Sequence, residues 1–359
     1  MKSATMEPAT FSTKTPSKTD LRYFAEDYPR DLPIVDLRSP REFALGHIPG
    51  AINLPLFDDD ERHQVGWTYK QVSKVDAVQL GLELLAQKMD HFLDELLAHE
   101  RGRGLVLHCW RGGMRSQSVA SLMRSLGCQA SVLEGGYKQY RRDVLAQIEC
   151  LAGVPFLVLM GRTGVGKTEL LQRSGVPYMD FEAYAHHRGS AFGDLNQAGP
   201  VPTQQNFENQ IAEAARDKHD CGFCLVEIES YFAHLNVPNV LRKKMLTSPV
   251  VILSRDRAQR IEHILEDYIP RLTDDMGEQI KERIQEGLAK HFRPSLIAEL
   301  MQEVDQQNLA KVVGTLLDIR YDPLYDKKLV KHRERVIAEF DVSNGYQDAI
   351  HFVQQYKGR

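Results

Sequence analysis

One octapeptide restricts the fold of this chain more than any other stretch: Gly161-Arg162-Thr163-Gly164-Val165-Gly166-Lys167-Thr168. It matches G-x-x-x-x-G-K-[ST]. It follows a continuous apolar run, residues 154–160 (VPFLVLM), and precedes a helix-forming segment, ELLQRS. That is the strand–loop–helix setting the motif needs, because backbone N–H groups must curl around phosphate oxygens at a helix N-terminus. Gly161, Gly164 and Gly166 allow the tight curl, Lys167 neutralises phosphate charge, and the Thr168 hydroxyl offers a ligand for Mg²⁺. The pattern reads phosphates only and leaves the rest of the ligand open.

The segments around this motif alternate in the same way. Buried-type strands are expected at 224–228 and 250–253, and the chain after Arg255 turns polar and helical to its end. The upstream half repeats the alternation independently. Residues 33–36 and 51–54 read as short strands, with Ser39-Pro40 opening a short helix between them. Residues 76–100 carry apolar positions at helical spacing with one break. Residues 104–108 form a buried-type strand, 116–126 a helix and 130–133 another strand. Strands alternating with helices predict parallel α/β sheets in both halves. With 359 residues, two domains are expected. The expected division is a disordered tail at 1–20, a first domain at 21–147, a P-loop α/β domain at 148–255 and a mainly helical region at 256–359 packed on it.

Composition excludes several classes. The chain is 42% hydrophobic and 26% charged, which suits a globular protein. No apolar run approaches the roughly 20 residues that span a bilayer. The first residues are polar and Ser/Thr-rich, without the apolar stretch of a secretory signal. A net charge of −4 excludes a uniformly basic coat but not a local basic patch. Five cysteines, an odd and sparse set, point to free thiols in a reducing cytoplasm. Cys221 and Cys224 form a lone C-x-x-C that cannot fill a four-ligand zinc site. No dedicated metal site and no organic cofactor are expected, and a monomer is favoured.

The second chemical centre is Cys109. It follows the strand GLVLH and enters Trp110-Arg111-Gly112-Gly113-Met114-Arg115-Ser116. This places a thiol at the carboxyl edge of a parallel sheet, where such folds bind ligands. The glycines permit an inward-facing set of N–H groups, the next helix adds positive potential, and Arg111 and Arg115 lie close in sequence. All favour thiolate over thiol, so Cys109 is expected to be a low-pKa nucleophile.

Asp36-Leu37-Arg38, Gly46-His47-Ile48-Pro49-Gly50-Ala51, the Cys109 loop and Leu133-Glu134-Gly135-Gly136-Tyr137 resemble the rhodanese-like domains in order and spacing, over about residues 25–145. The resemblance implies a cysteine that carries sulfur or selenium. His108-Cys109-x-x-Gly112-x-x-Arg115-Ser116 also fits the cysteine-phosphatase pattern, and its loop is one residue longer than in many small rhodaneses. Such a loop suits a tetrahedral oxyanion, including selenophosphate.

Further candidates surround the phosphate loop. Glu227 and Glu229 sit two apart in LVEIES; strand periodicity puts them on one face, as Mg²⁺-orienting groups or a base. Arg188, in the loop His187-Arg188-Gly189-Ser190-Ala191-Phe192-Gly193, is a candidate phosphate contact. Two basic clusters, Arg242-Lys243-Lys244 and Lys327/Lys331/Arg335, are candidate nucleic-acid contacts. The second recurs every four residues on an expected helix. Trp110, beside the nucleophile, is a candidate for stacking a base.

Additional segments extend the likeness: Asp60-Glu61-Arg62 with Val65-Gly66-Trp67-Thr68-Tyr69-Lys70, Phe207-Glu208-Asn209, and Tyr321-Asp322-Pro323-Leu324-Tyr325. Together with both loops they resemble the tRNA 2-selenouridine synthase family over nearly the whole chain after the tail. The resemblance implies a transferase acting on the wobble 2-thiouridine of tRNA. It implies S-geranylation from geranyl diphosphate, then selenation from selenophosphate. The family's cysteine falls on Cys109, its phosphate loop on residues 161–168, and a family glycine on Gly66. The chain departs from the family at Ile228, where an acid often stands between the two glutamates. Three alternatives remain on the sequence: a P-loop kinase or ATPase with a regulatory rhodanese module, a thiosulfate-type sulfurtransferase, and a cysteine phosphatase.

Overall fold

The computed structural model describes residues 22–23, 29–197, 199–229, 231–268 and 274–358; the expected tail at 1–20 lies outside them. The chain divides into two compact units. One comprises residues up to Phe43 together with Gly50–Tyr140, and the other comprises Ala44–Pro49 and Arg141–Arg359. The division falls inside a helix, seven residues before the expected boundary.

In the first unit, β1 (Arg22–Tyr23), β2 (Ile34–Asp36), β3 (Ile52–Asn53), β4 (Leu105–His108) and β5 (Ala130–Leu133) form a parallel sheet in the order β1-β5-β4-β2-β3. Around it lie α1 (Pro40–Leu45), α2 (Asp59–Gln71), α3 (Lys74–Ala86), α4 (Met89–Glu100) and α5 (Met114–Ser125), with α6 starting at Gly136 and ending at Leu151. The break expected within 76–100 falls between α3 and α4. Asp58 starts α2 with a capping box: its side chain accepts from Glu61 N–H while Glu61 accepts from Asp58 N–H. β4 is buried along its whole length, so an uninterrupted apolar strand occupies the sheet centre, as its sequence requires.

Under the end of β2 sits a buried ion pair. The Arg38 Nε donates to both Asp36 carboxylate oxygens at 2.9 and 3.0 Å, and the Arg38 guanidinium lies 3.8 Å from the centroid of the Tyr137 ring. Burial alone would raise the Asp36 carboxyl; the charge of His108 and the Arg38 guanidinium with its hydrogen bonds overturn this and hold it below the usual carboxylate range. Burial holds His108 below its ordinary value despite Asp36 lying 3.6 Å away, so Arg38 is the lasting counter-charge near pH 7. Both depressed groups bind fewer protons folded than unfolded, so stability falls as acid is added. The His108 contribution starts to be lost below about pH 6.5 and the Asp36 contribution below about pH 4. Asp36→Asn leaves Arg38 buried without its counter-ion and is expected to cost about 3–5 kcal/mol in urea unfolding. A cost under about 1 kcal/mol would show that the pair does not anchor this sheet edge.

The second unit is built on β6 (Phe156–Gly161), α7 (Lys167–Arg173), β7 (Tyr178–Met179), α8 (Phe181–Ala185), α9 (Gln204–Ala215) and β8 (Cys224–Glu227). There follow a two-strand hairpin of β9 (Tyr231–Phe232) and β10 (Leu235–Asn236), then α10 (Asn239–Thr247) and β11 (Val250–Ser254). Helices α11 (Arg257–Tyr268), α12 (Asp274–Arg283), α13 (Pro294–Asp305), α14 (Leu309–Leu316) and α15 (Asp322–His332) make the helical region, before β12 (Val336–Asp341) and α16 (Gln347–Gln355). The sheet order is β12-β11-β6-β8-β7, all parallel.

β12 is a strand within the expected mainly helical C-terminal region. Its burial alternates along VIAEFD, with Val336, Ala338 and Phe340 inward, so it is an edge strand with one covered face. Only three half-buried residues carry the two-residue period, and charged neighbours mask it. Ala338 and Phe340 pack with Leu157, Leu225 and Leu253 of the sheet core. A separate apolar core, including Ile280, Ile284, Leu300 and Val312, joins α12, α13 and α14. Among the described residues, no helix is long and apolar enough to cross a membrane.

Candidate functional site

The Cys109 loop is held by close backbone contact. Gly112, Gly135 and Gly136 have φ of +61°, +70° and +59°, which favour glycine. A Cβ on Gly112 would lie 2.5 Å from Leu133 O, and one on Gly136 would collide with Cys109 O and Gly112 N. The first N–H groups of α6 are used here: Tyr137 N donates to Cys109 O and Lys138 N to Trp110 O, both at 3.0 Å. The Glu-Gly-Gly-Tyr segment therefore acts as the floor of the cysteine loop.

Cys109 is buried, with its Sγ 3.3 Å from Ser116 Oγ. Burial pushes the thiol up. The Ser116 hydroxyl, the Arg115 guanidinium and the backbone N–H groups of Ser116 and Arg111 outweigh it, and the thiol sits below its ordinary value. Arg115 reaches Glu42 at 3.5 Å, and Glu42 lies 3.6 Å from Arg62. Gly66 stands one helical turn beyond Arg62 on α2, and a Cβ there would press on the Arg62 guanidinium. Gly66 thus connects to the cysteine loop through Arg62, Glu42 and Arg115. Trp110 is exposed, its ring tilted 6.1 Å from that of Tyr137. Arg111 is exposed and contributes through its backbone.

The phosphate loop joins β6 to α7. Gly164 and Gly166 have φ of +78° and +83°. A Cβ at Gly164 would lie 2.6 Å from Arg260 O, and one at Gly166 would strike the Tyr346 hydroxyl. A Cβ at Gly161 would lie 2.6 Å from Val165 Cγ1. The loop is clamped to α15: Arg162 donates to Asp326 at 2.8 Å, while buried Arg260 donates to Asp322 at 2.9 Å and to Thr163 O at 3.2 Å. Lys167 Nζ donates to Gly161 O at 3.3 Å and lies 4.0 Å from Glu227 Oε2. Thr168 Oγ1 donates to Glu227 Oε1 at 2.8 Å.

These groups line a cleft of about 710 Å³. Glu229 lines it too, although β8 ends at Glu227, so Glu229 reaches the cleft from the following loop rather than by strand alternation. It accepts from Lys328 Nζ at 2.8 Å. Arg188 also lines the cleft and donates to Asp267 O at 2.9 Å. Asp180 and Glu182, at the start of α8, were not singled out from sequence; the signal is an acid directly after a two-residue strand, Tyr178–Met179. Burial, then neighbouring Glu227, raises the Glu182 carboxyl well above its usual range, against the pull of Lys167. Burial likewise raises Glu227, opposed by Lys167 and the Thr168 hydroxyl. Among the described residues, no group of three or more His, Cys, Asp and Glu side chains is placed to hold a metal.

The remaining candidates separate. Lys243, Lys327 and Lys331 are exposed and Lys244 half-buried. Arg242 donates to the Tyr231 hydroxyl and, at 3.0 Å, to Asn239. Helix α15 stops at His332, so Arg335 lies off the expected stripe. Its guanidinium is spent on the carbonyls of Met245 and Ser248 at the end of α10, leaving it a structural cap rather than a surface contact. Cys224 is buried in β8 with its thiol pushed up, and Cys221 is raised by burial too. The Phe207-Glu208-Asn209 segment holds the Gly-His-Ile-Pro-Gly turn: Asn209 donates to His47 O at 2.6 Å, and Asn206 accepts from His47 N at 2.8 Å.

A thiolate-favouring cysteine on one parallel sheet and a phosphate loop on another define an α/β protein of the rhodanese-like and P-loop classes joined in one chain. The rhodanese-like domain family matches residues 18–143, and the tRNA 2-selenouridine synthase AAA domain matches residues 154–300. Proteins called tRNA 2-selenouridine synthase are similar along most of their length. That of Shewanella denitrificans is 32% identical, with 89% of this chain and 94% of the relative aligned. That of Marinobacter nauticus is 31% identical (90% and 95%), and that of Cupriavidus pinatubonensis 34% identical (86% and 92%). The chain belongs to the tRNA 2-selenouridine synthase family.

Proposed function

We propose that this chain converts wobble 2-thiouridine in tRNA to 2-selenouridine in two transfers, acting as a monomer in the cytoplasm. The observation that carries the reading is the pairing of an anion-ready cysteine loop with a phosphate loop, in a chain aligned almost end to end with synthases of that name.

In the first transfer the 2-thio sulfur attacks the allylic carbon of geranyl diphosphate. A C–S bond forms, the C–O bond breaks, and diphosphate leaves. Backbone N–H groups of residues 161–168 and Lys167 stabilise the charge developing on the leaving group. Thr168 and Glu227 fit Mg²⁺: the hydroxyl and carboxylate are in contact, and Glu227 Oε2 is buried without a hydrogen bond. One or two protein oxygens plus phosphate is the usual Mg²⁺ arrangement. Bound there, the ion would further neutralise the diphosphate. Glu229 and Arg188 border the same cleft and orient the ligand.

In the second transfer selenium from selenophosphate forms a bond to C2 of the base, and the C2–S bond breaks with departure of geranyl thiolate. Water then attacks phosphorus, the P–Se bond breaks and phosphate leaves, so selenium keeps its oxidation level throughout. The Cys109 loop binds the tetrahedral anion through Arg115, the Arg111 N–H and the helix N-terminus, and Cys109 positions the selenium for attack on C2 without taking it over covalently. Trp110 offers an exposed face on which an extruded base can stack. Lys243, Lys327 and Lys331 supply phosphate contacts whose strength falls with salt.

The test is nucleoside mass spectrometry on 2-thiouridine-containing tRNA incubated with protein, Mg²⁺ and geranyl diphosphate, followed by selenophosphate. S-geranyl-2-thiouridine and then 2-selenouridine are expected in that order. An unmodified base with folded protein would refute the reading; nucleotide hydrolysis or thiosulfate turnover would then identify the kinase or sulfurtransferase alternative.

A further inference from the structure

The phosphate cleft carries one cation that no group among the described residues engages. Four Lys and Arg side chains line the cleft: Lys167, Arg188, Arg320 and Lys328. Lys167 donates to Gly161 O, Arg188 to Asp267 O and Lys328 to Glu229. Arg320 is half-buried, yet among the described residues its guanidinium has neither a hydrogen bond nor an ion pair. Glu182, Glu227 and Glu229 border the same cleft, and it pairs with none of them. A guanidinium partly withdrawn from water without a carboxylate is costly unless a ligand supplies the counter-charge.

The fold fixes where this guanidinium stands. Residues Leu317–Tyr321 make a single π-helical turn between α14 and α15, and Arg320 lies in it. Such widened turns are rare and recur at functional sites. Two residues on, Asp322 accepts from buried Arg260, which also donates to Thr163 O of the phosphate loop; Asp326 accepts from Arg162 of the same loop. The turn that carries Arg320 is therefore bolted to the phosphate loop. Tyr325, between those two acids in the chain, lines the cleft, and its hydroxyl is buried without a hydrogen-bond partner. Burial pushes the phenol up to about 12, so it remains a donor.

We infer that Arg320 is a second clamp on the anion of the phosphate loop, supplied by the helical region, and that Tyr325 donates to the same anion. What the clamp accelerates rests on the geranyl-transfer reading above; the anion site itself needs only a diphosphate. A planar guanidinium meets two phosphate oxygens at once. Lys167 holds the diphosphate from within the loop and Arg320 from outside it. As the allylic C–O bond breaks and its electron pair passes to the diphosphate, Arg320 neutralises the growing charge. The segment Tyr321-Asp322-Pro323-Leu324-Tyr325 thus joins a fastening, Asp322, to a ligand contact, Tyr325.

Calorimetry on the whole chain with inorganic diphosphate reads the clamp directly. Arg320→Ala should weaken the diphosphate Kd at least about tenfold, and Arg320→Lys by less, since it keeps the charge without the planar fork. Tyr325→Phe should weaken it about three- to tenfold and raise the melting temperature of the ligand-free protein, because an unpaired buried hydroxyl is removed. Geranyl transfer to 2-thiouridine-containing tRNA at saturating geranyl diphosphate should slow about a hundredfold in Arg320→Ala. Added methylguanidinium should restore part of that rate, which a merely structural loss would not allow. Selenation of pre-geranylated tRNA should stay within about twofold. Both Arg320 variants should melt as the wild type does, because no hydrogen bond or ion pair among the described residues is lost. A diphosphate Kd within about twofold of wild type in folded Arg320→Ala would overturn the inference. So would a loss confined to salt-dependent tRNA affinity, which would assign Arg320 to a backbone phosphate. If diphosphate affinity falls but no form of the protein geranylates tRNA, the reaction falls and the clamp stands. If the wild type geranylates tRNA and Arg320→Ala does so equally, the clamp falls and the reaction stands.

Discussion

Cys109→Ala is expected to abolish selenation while leaving geranylation of the same tRNA within about twofold of wild type. The loss should reach about 10³-fold or more, as when a catalytic group is removed from a site whose other members remain. The reasoning is local. The Ser116 hydroxyl, the Arg115 cation and two loop N–H groups all favour negative charge at one buried sulfur, and alanine leaves them facing nothing. The thiol is small and the loop backbone is fixed by Gly112, Gly135 and Gly136, so the substitution should hardly disturb folding. The readout is nucleoside mass spectrometry on pre-geranylated tRNA given selenophosphate. Selenation persisting at more than a tenth of the wild-type rate would remove Cys109 from the chemistry. Cys109→Ser keeps a hydroxyl but not a low-pKa nucleophile, and should be as inactive.

The second large effect is the mirror image. Lys167→Ala should slow geranyl transfer by about 10²–10³-fold, the range found when one preorganised charge-stabilising donor is removed. It should leave selenation of pre-geranylated tRNA unchanged. Lys167 lies between Gly161 O and the buried Glu227 carboxylate, so its ammonium is held at the mouth of the loop before ligand arrives. Removing it also strips a cation from two buried acids, Glu182 and Glu227, whose protonation would rise further. Unchanged geranylation in Lys167→Ala would mean the phosphate loop serves some other ligand. Parallel losses in both half-reactions would instead indicate a folding defect, which melting curves would reveal.

Both loops could be read from sequence because each is continuous in the chain and demands glycine at fixed points. A strand, a curl and a helix are specified within a dozen residues, and Gly164, Gly166 and Gly112 satisfy positive φ. What escaped detection was assembled from distant pieces. β12 is an edge strand whose alternation rests on Val336, Ala338 and Phe340 amid charges. Glu182 gains its unusual protonation from burial and then from Glu227, forty-five residues away in the chain. Arg335 resembled its lysine neighbours until the end of α15 turned it toward the carbonyls of α10. Burial and hydrogen bonding across elements decided each of these, and neither is visible in local periodicity.

The Cys109 sulfur combines two properties that usually conflict. Thiolate character makes a cysteine attractive to peroxide and to disulfide exchange, yet only 3% of this residue is exposed. Burial on that scale limits encounter with dissolved peroxide and with free disulfides, so the thiolate should oxidise slowly for a cysteine of its charge. The glycine floor beneath the loop therefore does more than shape an anion site: it keeps a charge-prone sulfur out of the reach of oxidants that would otherwise consume it.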